Sequence, residues 1–158
     1  MGGFKTAGQA PILPCASERK DIFMLMTWNK TLETGIGWQD SQHKELYLKL
    51  GGMVEKMRAG GGREEMDKLL RFLSAYTVNH FSDEEKYMDM FSYERYFAHR
   101  MEHREFKSKL FHIKRCFEAY DTHLMLVAEL YHLLADWMRY HIDKSDKTLG
   151  AFLKDKVI

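Results

Sequence analysis

The chain has 158 residues, enough for one domain. Hydrophobic residues make up 45% and charged residues 30%, a balance that excludes a disordered or low-complexity chain. Lys and Arg total 24 against 23 Asp and Glu, a net charge of +1 that excludes bulk attraction to nucleic acid or an anionic membrane.

Residues 1–26 hold Gly2, Gly3, Gly8 and both prolines, Pro11 and Pro14. They read as an irregular N-terminal extension ahead of a domain over 27–158. They lack a basic start followed by an apolar run, so no secretory signal is expected. Ile12-Leu13-Pro14-Cys15 is a poor lipid-attachment box. The cysteines, Cys15 and Cys116, match no zinc, redox or disulfide spacing, which points to a reducing, cytoplasmic setting. No uncharged apolar run reaches the ~18 residues of a membrane span, so no membrane insertion is expected.

After Pro14 there is no proline, and from Arg63 to Leu149 no glycine, so the turn chemistry of a β-rich domain is missing. Apolar residues recur instead at steps of three and four, which predicts four amphipathic helices. The first carries Leu46, Leu50, Met53 and Met57, with Asp40 or Ser41 as its cap. Gly51-Gly52 conflicts with it, each glycine costing about 1 kcal/mol against alanine, so that helix is expected to kink or to pack very closely. Ala59 to Gly62 breaks it from the second, which carries Met66, Leu69, Leu73 and Tyr76. Phe91-Ser92-Tyr93 is a weaker break. The third carries Tyr96, Phe106, Leu110, Ile113 and Phe117. Tyr120-Asp121-Thr122 is the next break, with Asp121 as N-cap. The fourth carries Leu124, Ala128, Tyr131, Ala135, Met138 and Ile142, and the tail Lys147 to Ile158 adds a short helix. The expected fold is all-α: an up-down-up-down antiparallel four-helix bundle with an N-terminal extension.

Eight histidines are present, and five of them fall on or beside the apolar stripes: His43, His80, His99, His103 and His141. His80/Glu84 and His99/His103 are four apart, which brings both members of each pair to one helix face. His141 and Asp146 are five apart, about 140° around an ideal helix, and converge only if the helix ends or loosens between them. His112 and His132 fall on the opposite faces of their helices, and His123 is ~27 Å along the helix from His141; these three read as surface or satisfied histidines. Counting outward from the hairpin centres near Gly61 and Asp121 puts His43 level with His80 and His103 level with His141. Five imidazoles and two carboxylates thus arrive in one layer from four helices. Burying them unpaired would cost several kcal/mol, and a metal removes that cost. Seven donors are too many for one tetrahedral zinc and suit two octahedral-type ions. Imidazole fits iron, copper, nickel or zinc, and the carboxylates shift the preference toward iron and manganese. None of these five histidines has a Glu three residues before it, so the donors do not follow the Glu-x-x-His motif of ferritin-type bundles.

Four segments carry a resemblance: Asp40-Ser41-Gln42-His43, His80-Phe81-Ser82-Asp83-Glu84-Glu85, His99 through Phe106, and Trp137 through Asp146. From Met26 to Leu153 the chain resembles hemerythrin, in particular its bacterial single-domain kind. The resemblance implies two iron ions with a bridging oxo or hydroxo group. It implies that His99, His103 and His141 hold one iron, that His43 and His80 hold the other, and that Glu84 and Asp146 bridge both. The first iron then has six ligands and the second five, with one open position for O2. Trp137 and Met138, with Ile142 more weakly, would line the O2 pocket. The implied function is reversible O2 binding as carrier, store or scavenger rather than catalysis. An O2 or redox sensor module, and a peroxidase or NO- or O2-reducing di-iron enzyme, are the alternatives. The implied state is a monomer or small homo-oligomer. The chain departs from the family's usual pattern at Met138, where leucine is frequent, and at Tyr93-Glu94, where Tyr-Pro is frequent.

Overall fold

A computed structural model describes residues 27–58, 62–120 and 123–157. The N-terminal extension, the Asp121 cap and the side chains of Met57, His123, Leu124 and Ala128 lie outside the described residues. Among the described residues there is no strand. Four long helices make up the fold, α1 (Gly37–Arg58), α2 (Gly62–Met90), α3 (Tyr96–Ala119) and a composite α4, after a 3₁₀ turn at Lys30–Leu32. None of the described helices is long and apolar enough to cross a membrane.

α1 begins before its expected caps. Asp40 sits inside the first turn and reaches back: Oδ1 accepts from the Thr34 N–H at 2.7 Å and the Thr34 hydroxyl at 2.9 Å, and Oδ2 from the Gly35 N–H at 3.2 Å. A carboxylate at a helix start is favoured by the exposed N–H groups there, and here it also ties down the preceding loop. The helix runs through Gly51 and Gly52, and a Cβ built at either meets nothing within 4 Å, so close packing is not their role.

α2 ends at the Phe91-Ser92-Tyr93 break in a Schellman arrangement. The Tyr93 N–H donates to the Met88 carbonyl at 2.8 Å and the Ser92 N–H to that of Asp89 at 3.1 Å. Ser92 takes the left-handed conformation this requires, at φ 52°. Met88 and Tyr93, the two residues that such a turn brings together, are both buried.

α4 extends past the fourth apolar stripe, through the expected tail helix, as one rod. It is α-helical over His123–His132, π-helical over Leu133–Met138, α-helical over Arg139–His141, π-helical over Ile142–Asp146 and α-helical over Lys147–Leu153. The expected tail helix therefore continues the fourth helix. The wide turns accommodate residues in excess of the α-helical repeat without breaking the rod.

Each helix packs against the next in the chain. The buried apolar side chains fall into two groups. The larger holds Leu46, Leu50, Leu69, Leu73, Phe81, Phe106, Ile113, Leu130, Met138 and Ile142, among others. The smaller holds Ile36, Met88, Tyr93, Leu149 and Leu153. Each fully buried side chain of this size contributes about 1.5–3 kcal/mol. Between the two groups, on every helix, lie buried polar residues: Gln39 and His43 on α1, His80 and Glu84 on α2, His99 and His103 on α3, His141, Ser145 and Asp146 on α4. The bundle is two apolar slabs separated by a polar one.

At its far end α4 presses against the loop before α1. A Cβ on Gly150 would fall 2.5 Å from the Thr34 carbonyl oxygen and 2.9 Å from its Cβ. Replacing Gly150 with alanine is expected to lower stability by about 1–3 kcal/mol, as overpacking does. Gly51→Ala and Gly52→Ala, in open space within a helix, are expected to raise it by up to about 1 kcal/mol each. Urea denaturation of the three variants checks both signs.

Candidate metal centre

The structure brings all seven predicted donors together. His43, His80, Glu84, His99, His103, His141 and Asp146 are each at most 2% exposed. Their ligand atoms form two groups, each within a span of 4.8 Å. One group is Glu84, His99, His103, His141 and Asp146; the other is His43, His80, Glu84 and Asp146. Glu84 and Asp146 belong to both.

The π-helical stretch Ile142–Asp146 resolves the awkward spacing. A ligand five residues after His141 would point about 140° away on an α-helix. Hydrogen bonds from i to i+5 widen the turn and bring a residue five positions on back toward the same face, and Asp146 Oδ1 comes to 3.0 Å from His141 Nε2.

Several residues around the donors were not singled out from the sequence. His80 Nδ1 donates to Gln42 Oε1 at 2.7 Å, His103 Nδ1 to Glu85 Oε1 at 3.0 Å, and His141 Nδ1 to Glu102 Oε2 at 2.6 Å. Gln39, fully buried, donates its amide to Glu84 Oε1 at 2.6 Å. These bonds fix ring orientation and leave each Nε2 facing inward, the arrangement metal-binding histidines use. Gln42, Glu85 and Glu102 each adjoin a ligand in sequence, which is the signal that could have found them.

His112 and His132 face outward as expected. His112 contacts Cys116 Sγ at 3.6 Å, and His132 pairs with Asp136 at 3.3 Å. Of the expected pocket residues, Trp137 stacks on His141, with centroids 4.5 Å apart and planes at 14°. Met138 and Ile142 are buried in the larger apolar group. Phe81 lies flat on His103 at 3.9 Å and edge-on to Phe106 at 5.9 Å. Tyr76 stacks on His80 at 5.1 Å, and its buried hydroxyl has no hydrogen-bond partner among the described residues.

The family model of the hemerythrin HHE cation binding domain matches residues 34–153. The chain belongs to the hemerythrin family. It is 32% identical over 133 residues to the bacteriohemerythrin of Methylococcus capsulatus, covering 82% of this chain and 97% of that protein. It is 27% identical to the bacteriohemerythrin of Clostridium acetobutylicum, covering 78% and 97%. The bacteriohemerythrin of Pseudomonas aeruginosa is also 27% identical, covering 83% and 88%. No solved structure matches the chain significantly.

A hemerythrin domain implies non-haem iron, and the residues present fit such ions. His43 and His80 oppose their Nε2 atoms at 3.2 Å, as do His99 and His141. His80 to Glu84 is 3.2 Å, His103 to Glu84 3.0 Å and His43 to Asp146 3.1 Å. Neighbouring donors each about 2.1 Å from one ion and at right angles lie about 3.0 Å apart. Among the described residues, Glu84 Oε2, His103 Nε2 and both Asp146 oxygens are buried without a well-directed hydrogen bond. Such orphaned lone pairs are costly, and a cation is the partner they lack.

Without metal, protons take that place in this hemerythrin domain. Burial opposes protonation of His99, but contact with Asp146 and Glu84 outweighs it and holds the imidazole at about 9. His141 is likewise held at about 10, burial being outweighed by Asp146 and Glu102. His80 goes the other way, to about 4, because burial, helped by His43, dominates over Glu84. Burial raises the carboxyls of Glu84 and Asp146, yet the surrounding imidazoles hold both below their ordinary range.

The sign follows from linkage. Stability from the raised His99 and His141 is complete below about 6.5 and is lost as pH rises through about 9 and about 10. The lowered His80 costs stability as pH falls below about 6.5, and the carboxylates do so below their ordinary range. Chelator-treated protein is therefore expected to lose several kcal/mol in urea titrations between pH 6.5 and 10. Divalent metal uptake at pH 7 is expected to expel a proton from each of His99 and His141, measurable by calorimetry in buffers of different ionisation enthalpy.

Proposed function

We propose that this hemerythrin chain binds O2 reversibly at a non-haem di-iron centre and serves as an oxygen carrier, store or scavenger. The observation that carries this reading is the unequal sharing of donors. Five side chains surround one position and four the other, and the same two carboxylates serve both. His99, His103 and His141 would hold one ion, His43 and His80 the second, and Glu84 and Asp146 would join them, together with an oxo or hydroxo bridge. The second position has one imidazole fewer, which leaves room for a small exogenous ligand. When bound, the iron pair supplies the two electrons that O2 capture needs.

The chain's own residues do the rest. Gln42, Glu85 and Glu102 keep the imidazoles of His80, His103 and His141 aimed inward. Trp137, Met138 and Ile142 are proposed to line the O2 pocket. Packed with Phe81 and Phe106, they exclude water and so suppress proton leakage to the bound ligand. Met138 is the flexible member, able to re-pack around different ligands. We read the chain as a binding protein and not an enzyme, because the buried acids and imidazoles of the layer are all taken up as donors. The relatives' name, bacteriohemerythrin, agrees with O2 binding.

The same reading makes residues 1–26 an extension and the rest an up-down-up-down antiparallel bundle. Support comes from the short connections and from His43 meeting His80 and His103 approaching His141, 5.0 Å between ring centroids. The cysteine pattern supports a cytoplasmic location, and the near-neutral charge argues against nucleic acid as partner.

Anaerobic ferrous reconstitution followed by O2 titration tests the proposal. Two irons per chain and a visible band that appears with O2 and reverses on its removal are the expected result. Iron loading without an O2-dependent band refutes it, and sustained O2 consumption with added reductant favours an enzyme. His80→Ala is expected to weaken loading at the two-imidazole position and to abolish the stable oxygenated form. If that variant gives the same band at full occupancy, the role given to His80 is wrong.

A further inference from the structure

The partners of the donor imidazoles are not alike on the two sides of the centre. His103 and His141, both in the five-donor group, donate from Nδ1 to carboxylates, Glu85 at 3.0 Å and Glu102 at 2.6 Å. His80, in the four-donor group, donates to the neutral amide of Gln42 at 2.7 Å. The Nδ1 atoms of His43 and His99, one in each group, have no partner among the described residues. Three imidazoles with two anionic partners thus face two imidazoles with none.

We propose that Glu85 and Glu102 set the redox balance of the centre, by making the three-imidazole position electron-richer than the two-imidazole one. The proposal rests on the di-iron reading above. An anion accepting the Nδ1–H draws the proton partly out of the ring and raises the donor strength of Nε2. The stronger donor favours the more highly charged ion, so ferric iron gains over ferrous at that position. A neutral amide supplies direction without this push. Both carboxylates act through a histidine and touch neither ion nor O2, so they are positioning residues with an electronic effect.

The surroundings rank the two. Glu102 Oε2 also accepts from the Ser145 hydroxyl at 2.7 Å, which holds it on His141. Glu85 is shared with Arg100, whose Nε lies 3.4 Å from Oε2, so part of its charge is spent there. Gln42 donates its amide to Asp83 Oδ2 at 2.8 Å, which transmits a weaker share of charge to His80. Glu102 is therefore the stronger of the two carboxylates.

Glu102→Gln, Glu85→Gln and Gln42→Glu test this. The first two keep shape and an acceptor oxygen, and both positions are partly exposed, so the fold tolerates them. The ferrous/ferric midpoint of the iron-loaded full chain is read by spectroelectrochemistry, and Zn2+ affinity by competition with a chelator. Glu102→Gln is expected to raise the midpoint by the ~59 mV that corresponds to a tenfold one-electron change. Glu85→Gln raises it less, and Gln42→Glu lowers it. Zn2+ affinity falls ~10–100-fold in the two glutamine variants. Unchanged midpoints at full iron occupancy, or shifts of Glu102→Gln and Gln42→Glu in the same direction, overturn the proposal, since a merely structural role keeps the hydrogen bond and the potential. The two carboxylates lie on different helices, so failure of one variant to fold leaves the other decisive. A wild-type chain that loads iron but ignores O2 sinks the O2 reading and leaves these midpoints measurable; one that holds no iron overturns both.

Discussion

Two carboxylates in the middle of a bundle constrain everything else in this molecule. Glu84 and Asp146 are fully buried on different helices and each belongs to both donor groups. Taking an ionised carboxylate out of water costs several kcal/mol after relaxation, and here two like charges share one layer. Only a dense set of positive or protonatable partners makes that tolerable. Five imidazoles supply it, and their own burial in turn demands acceptors on the outward nitrogen. Glu85, Glu102 and Gln42 answer that demand for three of the five. The charge arrangement is thus nested, with anions at the centre, imidazoles around them, and a second ring of polar groups toward the surface.

The rest of the fold holds that arrangement still. The larger apolar group closes the layer on one side with flat contacts such as Phe81 on His103 and Trp137 on His141. The smaller one closes it on the other side, where Tyr93 is edge-on to His99. Protein interiors are close-packed and transmit small displacements rather than absorb them.

Much of this was legible in the sequence. The four helices followed from the spacing of Leu46 and Leu50, Leu69 and Leu73, Phe106 and Ile113, and Ala135 and Met138, because burial of a stripe has no other period in an α-helix. The seven clustered residues followed from ligand-type side chains falling on those stripes. What was not legible depends on backbone detail or on neighbouring helices. The start of α1 at Gly37 is not legible because Asp40 acts backward on the loop, a role its residue type does not distinguish from an ordinary cap. Gly51 and Gly52 sit in open space, so no packing reason accounts for them. Glu85 and Glu102 are off the stripes of their own helices, and they matter only across helix interfaces, to His103 on α3 and His141 on α4. Nothing in Lys147 to Leu153 shows that the wide turns before it keep the rod unbroken.

Those wide turns have an effect downstream of the centre. Counted at about 100° per residue from His141, Leu149 and Leu153 would sit roughly 80° and 120° off the inward direction. One surplus residue absorbed between them resets the count, and the offsets shrink to about 20° on either side. Leu149 and Leu153 then join Ile36, Met88 and Tyr93, and Gly150 meets Thr34. The single residue that carries an acid to the centre is also the phase adjustment that closes the lower end of the protein, so the chemical layer and the mechanical seal beneath it share one insertion and cannot drift apart independently.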